Sequence, residues 1–180
     1  MKHTLVTIAK QLNEQSISWG IGGSLMLKYH GLVTKANDID LIVAESDYSK
    51  VEEILNTMGQ KQVVAQSKTY GTKFFSKFSV NDIEVDIMGK FIIHHEQGSY
   101  EYIFDKESIT ATEIVNGVKL NYTSLEDWYF LYLLMQREIK ADILEEHLKH
   151  QLVNPILIKR CLNQSLPDSL KVRVSSILKY

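Results

Sequence analysis

The 180-residue sequence predicts an α/β protein: a mixed, twisted sheet flanked by helices, followed by a C-terminal helical lobe. Three observations predict it. Short apolar runs with the two-residue period of strands alternate with turn residues through the first two thirds of the chain. From residue 123 the pattern becomes helical almost to the end. An apolar share of 44% with 23% charged residues is enough to fill a core. The expected division is a sheet domain over 1–122 and a helical lobe over 123–180.

The elements follow in order. Leu5, Ile8, Ala9 and Leu12 fall at helical spacing, so Lys2 to Gln15 reads as an amphipathic helix. Ile17 to Ile21 reads as a short strand running into Gly22-Gly23-Ser24. Leu25 to His30 suits a helix that begins at the glycine pair and stops at Gly31. Ile39, Leu41 and Val43 alternate with Asp38, Asp40 and Ala44, the period of a strand. Ser46 or Asp47 caps a helix that Gly59 ends. Lys61 to Ala65 is a further strand candidate. Gly71 to Val80 and Ile83 to Met88 flank the turn Asn81-Asp82. Residues 89–111 show only isolated strands and loops. Asn116-Gly117 marks a second hairpin within 114–122. Thr123 or Ser124 then caps a helix whose first turn holds Glu126 and Asp127, where the helix dipole favours acids. Further helices are expected over 139–150, 154–163 and 167–178.

Composition excludes several classes. Twenty basic residues against 22 acidic ones leave a net charge of −2, which argues against a protein built to coat nucleic acid or an anionic membrane. The single cysteine, Cys161, allows neither an internal disulfide nor a Cys-rich zinc site, and reads as a small core residue. The longest apolar patch, Trp128 to Met135, is far shorter than the about 20 residues needed to span a bilayer. No secretory leader is apparent, so a cytoplasmic location is the expectation.

The residues that carry chemistry lie in WGIGGSLMLKYHGLVTKANDIDLIV, residues 19–43. A helix start leaves backbone N–H groups unpaired, and glycines let a large anion approach them. Gly22, Gly23 and Ser24 therefore form a candidate phosphate cradle. Residues two apart on a strand share a face, so Asp38 and Asp40 project side by side. Such a pair repels unless a cation neutralises it, and Mg²⁺ shared with substrate phosphates is the natural partner. The alternative is a solvated pair at a strand end. Asp86 lies in the strand Ile83–Met88 and would meet the pair if the two strands are neighbours. Three carboxylates converging beside a phosphate cradle describe a two-metal site for phosphoryl-type transfer.

With these residues in place, the sequence resembles the nucleotidyltransferase superfamily related to DNA polymerase β. It is most similar to the small bacterial branch of antibiotic and toxin–antitoxin nucleotidyltransferases. Gly22, Gly23 and Ser24 match the glycine–serine element, and thirteen residues separate Ser24 from Asp38. Gly31 to Asp40 is similar to the branch's G-x-x-T-R-x-x-D-I-D stretch, with Lys35 in place of arginine. Residues 122–127 resemble its S-L-E-D-L helix opening. Arg137, Lys140 and Asp142 resemble R-x-x-K-D, with Ala141 displacing the acid by one place. Tyr132 stands about where the family often has a lysine. The resemblance implies that Gly22, Gly23 and Ser24 hold the β- and γ-phosphates of an NTP. It implies that Asp38 and Asp40 bind two Mg²⁺ ions, that Asp86 completes the site and serves as general base, and that Lys35 or Lys140 steadies phosphate charge. The implied reaction moves a nucleoside monophosphate to a hydroxyl and releases pyrophosphate.

The expected acceptor is a small, antibiotic-like molecule. A regulatory or antitoxin-type module acting on a protein or RNA is the alternative, and a homodimer could contribute to the cleft. Other features read as structure. His94 and His95 point to opposite faces of a strand and would not chelate together. The aromatic run from Trp128 to Tyr132 reads chiefly as lobe packing. Lys68, Lys73 and Lys77 read as a solvated face.

Overall fold

In the computed structural model, which describes residues 1–65, 69–175 and 177, the apolar stripe of helix α1 (Lys2–Glu14) is buried through Leu5, Ile8, Ala9 and Leu12. Ser16 has positive φ and Ile17 N–H returns to Leu12 C=O, so the chain closes the helix before strand β1 (Trp19–Ile21) begins. That closure shortens the strand expected from Ile17. Helix α2 (Gly23–Tyr29) starts at the glycine pair. Strand β2 (Ile39–Val43) follows, then α3 (Tyr48–Met58), entered through a 3₁₀ turn at Glu45–Asp47.

Strand β3 (Gln60–Gln62) pairs only to Lys77 of β4 (Phe74–Val80), so residues 63–65 leave the sheet where a longer strand was expected. Strand β5 (Ile83–Gly89) returns through Asn81-Asp82, both at positive φ. The stretch 89–111, expected as isolated strands and loops, holds a small two-stranded ribbon, β6 (Ile92–His95) with β7 (Gly98–Glu101), and a 3₁₀ turn at Lys106–Ser108. Strands β8 (Ile109–Val115) and β9 (Val118–Thr123) form the hairpin around Asn116-Gly117, where both residues again have positive φ.

Among the described residues, seven strands make one mixed sheet in the order β3-β4-β5-β2-β1-β9-β8. Two of its neighbour pairs, β2–β5 and β1–β9, are parallel. Helix α4 (Leu125–Leu134) is buried all round: Phe130 and Leu131 have no exposed surface. A helix buried on every side sits at the centre of its layer rather than on the surface. Helices α5 (Glu138–Lys149), α6 (Pro155–Leu162) and α7 (Asp168–Ser175) follow. The buried apolar cluster is continuous from Leu5 through the sheet strands and α4 to Ile177. Among the described residues, no helix is long and apolar enough to cross a membrane.

Candidate active site

Strand pairing brings the carboxylates together. Strands β2 and β5 run parallel in a register that sets Asp40 directly opposite Asp86. Asp38 precedes β2 by one residue and, two positions from Asp40, shares its direction. All three line a cleft of about 700 Å³. Ile39, Leu41 and Val43 alternate into the core, as expected.

The pair repels, and the protein answers it with cations. Burial, then Asp38 and Asp86, push the Asp40 pKa up to about 7, against the pull of Lys140 and Arg137. Burial raises the Asp86 pKa as well, opposed by Lys77, whose ammonium lies 3.3 Å from Asp86 Oδ1. That oxygen is buried, with the Lys77 ammonium as its partner among the described residues. The Ser24 hydroxyl donates to Asp38 Oδ1 at 3.0 Å, so it orders the acid pair.

The glycines have separate reasons. Gly23 has φ of +58°, and a Cβ there would lie 1.8 Å from Asp40 Oδ2. The backbone thus touches the carboxylate directly. A Cβ on Gly22 would lie 2.0 Å from the Trp128 ring, and the Gly22 N–H donates to Asp40 C=O at 2.9 Å. Trp128 is itself held by its indole N–H to Thr123 Oγ1 at 2.8 Å, and that hydroxyl donates to Ile21 C=O.

The cleft gathers Gly23, Asp38, Asp40, Asp86 and Lys140 in its lining. Gly22 and Ser24 support them from behind. Lys35 is exposed on the loop before β2 and stands outside the lining. Arg137 joins the lining instead. Lys140 Nζ sits 5.1 Å from the centre of the Tyr132 ring, and burial and then Arg137 lower its pKa against Asp40 and Asp38. Tyr132, at the place of the family lysine, is buried, with a hydroxyl that has no hydrogen-bond partner among the described residues.

Lys77 corrects the expectation of a solvated lysine face. It is partly buried and bridges Glu84 and Asp86. The signal was in the hairpin: with Asn81-Asp82 as the turn, Val80 meets Ile83 and Lys77 meets Asp86. Lys73 lines the cleft, and Lys68 lies outside the described residues. Sequence reasoning also missed the wall made by Tyr70, Phe75 and Phe91, which carries no motif.

The remaining features are structural. His94 Nδ1 meets Ser99 Oγ at 2.8 Å and His95 Nε2 meets Ser165 C=O at 3.1 Å, in different directions. Cys161 is fully buried and accepts from the Tyr100 hydroxyl at 3.0 Å. Among the described residues, no three His, Cys, Asp or Glu side chains stand already drawn together as a metal cage. The donor set nevertheless suits a hard cation: three carboxylates line one cleft, and the central one resists ionisation because its charge is buried and undercompensated there.

Several solved structures share the fold of this chain. A protein of Thermotoga maritima (TM1012), classed by inference as a nucleotidyltransferase, matches with a TM-score of 0.63 and 27% identity over 83% of this chain and 92% of its own. The fold is that of the nucleotidyltransferases. The antibiotic-resistance factor ANT(2'')-Ia matches with a TM-score of 0.59 and 15% identity, over 98% of this chain and 96% of its own. The lincosamide antibiotic adenylyltransferase LnuA matches with 0.52 and 15%, over 81% and 96%. No family model and no curated protein sequence matches the chain. The Thermotoga maritima neighbour supports a nucleotidyltransferase, and the two neighbours at 15% identity show the shared fold alone.

Proposed function

We propose that the chain is a metal-dependent nucleotidyltransferase, moving a nucleoside monophosphate from an NTP to a hydroxyl of a small molecule with release of pyrophosphate. The observation that carries this reading is the parallel register of β2 and β5, which opposes Asp40 and Asp86 in one cleft with Asp38 beside them. Neighbours that modify antibiotics support a small acceptor: one is solved with adenylyl-2''-tobramycin and one with lincomycin. An NTP substrate suits a cytoplasmic setting.

The residues divide by role. Asp38, Asp40 and Asp86 would hold Mg²⁺, which when bound neutralises the carboxylates and the triphosphate charge. The Gly22–Ser24 turn would meet the triphosphate at Gly23, which lines the cleft with its backbone packed against the Asp40 carboxylate. Arg137 and Lys140, at the same end, face its negative charge. Asp86 accepts the proton of the acceptor hydroxyl. The acceptor oxygen forms a bond to the α-phosphorus while the bond from that phosphorus to the bridging oxygen breaks. Pyrophosphate leaves with the electron pair.

Calorimetric titration of ATP, GTP, CTP and UTP, with and without Mg²⁺, tests the reading on wild type and on Asp38→Asn/Asp40→Asn. Mg²⁺-dependent binding of at least one triphosphate, lost in the double variant, is expected. Folded wild-type protein that binds none of the four would overturn it.

A further inference from the structure

The cleft has two chemically different ends. Around Asp40 stand Arg137 and Lys140, which suit phosphate. Beyond Asp86 the lining changes. Strand pairing sets Lys77 against Asp86 and Phe75 against Met88. Residues 86 and 88 share a face, as do 75 and 77, so Phe75 and Met88 form an apolar shelf about 7 Å along the sheet from the Asp86 carboxylate. Past the shelf, the Phe91 ring lies 6.1 Å from that of Tyr70, and Val64, with 42% of its surface exposed, lines the same cleft. The charge at this end is Lys73, whose ammonium lies 3.2 Å from Glu45. Among the described lining residues, the carboxylates are Asp38, Asp40 and Asp86 alone.

We infer that the acceptor is an uncharged molecule that presents its hydroxyl to Asp86 from an apolar or aromatic framework, and is not a polyamine sugar. The inference rests on the nucleotidyltransferase reading. A polyamine carries several ammonium groups, and each one moved out of water needs a partner. The three cleft carboxylates would be committed to the metal, and the nearby acids Glu45 and Glu84 are already paired with Lys73 and Lys77, so among the described residues this end holds no unpaired carboxylate for a further cation. An aromatic or aliphatic face, by contrast, gains contact with Phe75, Met88 and Tyr70. The transfer balances as before: the hydroxyl proton goes to Asp86, the new bond joins that oxygen to the α-phosphorus, and pyrophosphate leaves.

Two probes separate the alternatives in saturating Mg²⁺. One is p-nitrophenyl β-D-glucopyranoside, a neutral sugar on an aromatic group. The other is tobramycin, a polyamine sugar. Saturation-transfer NMR titrations would be run on wild type and on Tyr70→Ala, a partly exposed position. Saturable binding of the glucoside is expected, weakened about fivefold in Tyr70→Ala, with tobramycin binding more weakly than the glucoside to wild type. Tobramycin binding as tightly as the glucoside, no saturable glucoside binding, or an unchanged glucoside affinity in Tyr70→Ala would each overturn the inference. Titrating the same samples with MgATP, MgGTP, MgCTP and MgUTP keeps the two readings apart. Any of those failures with nucleotide binding intact rejects the acceptor class alone. Glucoside binding without nucleotide binding rejects the transferase reading.

Discussion

Asp40 is the residue on which the site turns. Its folded pKa of about 7 lies above the about 3.9 of an unfolded aspartate. Between those values the native state keeps a proton that the unfolded chain has released. Stability of the metal-free protein therefore falls as pH rises from about 4 to 7 and stays lowered above 7. Asp40→Asn removes the penalty. At pH 8 without metal, the variant is expected to be more stable than wild type by more than about 1 kcal/mol, and near pH 4 the two should converge. Thermal melts at the two pH values measure this, and equal melts at pH 8 would contradict it. Adding Mg²⁺ should raise the melting temperature of wild type and leave that of Asp38→Asn/Asp40→Asn unchanged. Gly23 acts on the same carboxylate. Gly23→Ala puts a methyl where Asp40 Oδ2 sits, at a φ that costs an L residue about 1 kcal/mol or more. It should cut Mg²⁺-dependent triphosphate binding at least about tenfold, a loss of about 1.4 kcal/mol, while the far-ultraviolet circular dichroism stays native.

At the scale of elements, α4 is the piece that joins sheet to helices, and its start is a buried polar knot. Ser124 caps the helix by accepting from the Asp127 N–H at 3.2 Å. Asp127 has 1% of its surface exposed and is paired with Arg160 of α6 at 2.6 Å. Arg160 also reaches Asp105 at 3.1 Å and Ser108 Oγ at 3.0 Å, tying α6 to the turn before β8. Asn154, which caps α6, donates its backbone N–H to Glu126 in the first turn of α4 at 2.8 Å. Removing one partner of a buried ion pair leaves the other charge uncompensated. Arg160→Ala should cost about 3 kcal/mol, and Ser124→Ala, which loses the cap, about 1 kcal/mol. Urea unfolding checks both, and an Arg160→Ala midpoint equal to wild type would refute the account. The β8–β9 hairpin lies away from the cleft, and Gly117 has φ of +77° with open space around it. Gly117→Ala should therefore cost only about 1 kcal/mol, with nucleotide binding unchanged.

At the scale of the molecule, the sheet and the helices share one core. Trp19 of β1 and Trp128 of α4 are both members of the continuous buried cluster. Trp128 also packs against Gly22, so the first helix of the C-terminal half forms part of the cleft. Unfolding should then be a single transition. Trp19→Phe and Trp128→Phe each leave one tryptophan as reporter, and the two fluorescence curves, each normalised to its own stability by circular dichroism, should coincide with it. A Trp128 signal lost before that of Trp19 would indicate that the helical half unfolds by itself.

Much of this was legible in the residues. The two-residue period of Ile39, Leu41 and Val43 settled which way Asp38 and Asp40 face, because strand geometry is local. Asn81-Asp82 and Asn116-Gly117 announced their hairpins, because positive φ selects those residue types. Ser124 announced the start of α4 for a similarly local reason. The glycine pair and three aspartates, in order, carried the resemblance that the fold bears out. The hairpin turn even contained the Lys77–Asp86 contact, by counting outward from it. What no stretch of sequence held is the adjacency of β2 and β5, strands separated by α3, β3 and β4. That pairing places Asp40 against Asp86, and packing of the helical half brings Arg137 and Lys140, at the start of α5, into the same lining. Nor did local sequence show the apolar wall beyond Asp86, whose residues come from β4, β5 and the loops around them. Period and turn chemistry act between near neighbours along the chain. The site and its wall are made by contacts between segments far apart in it, which only burial of a common core brings together.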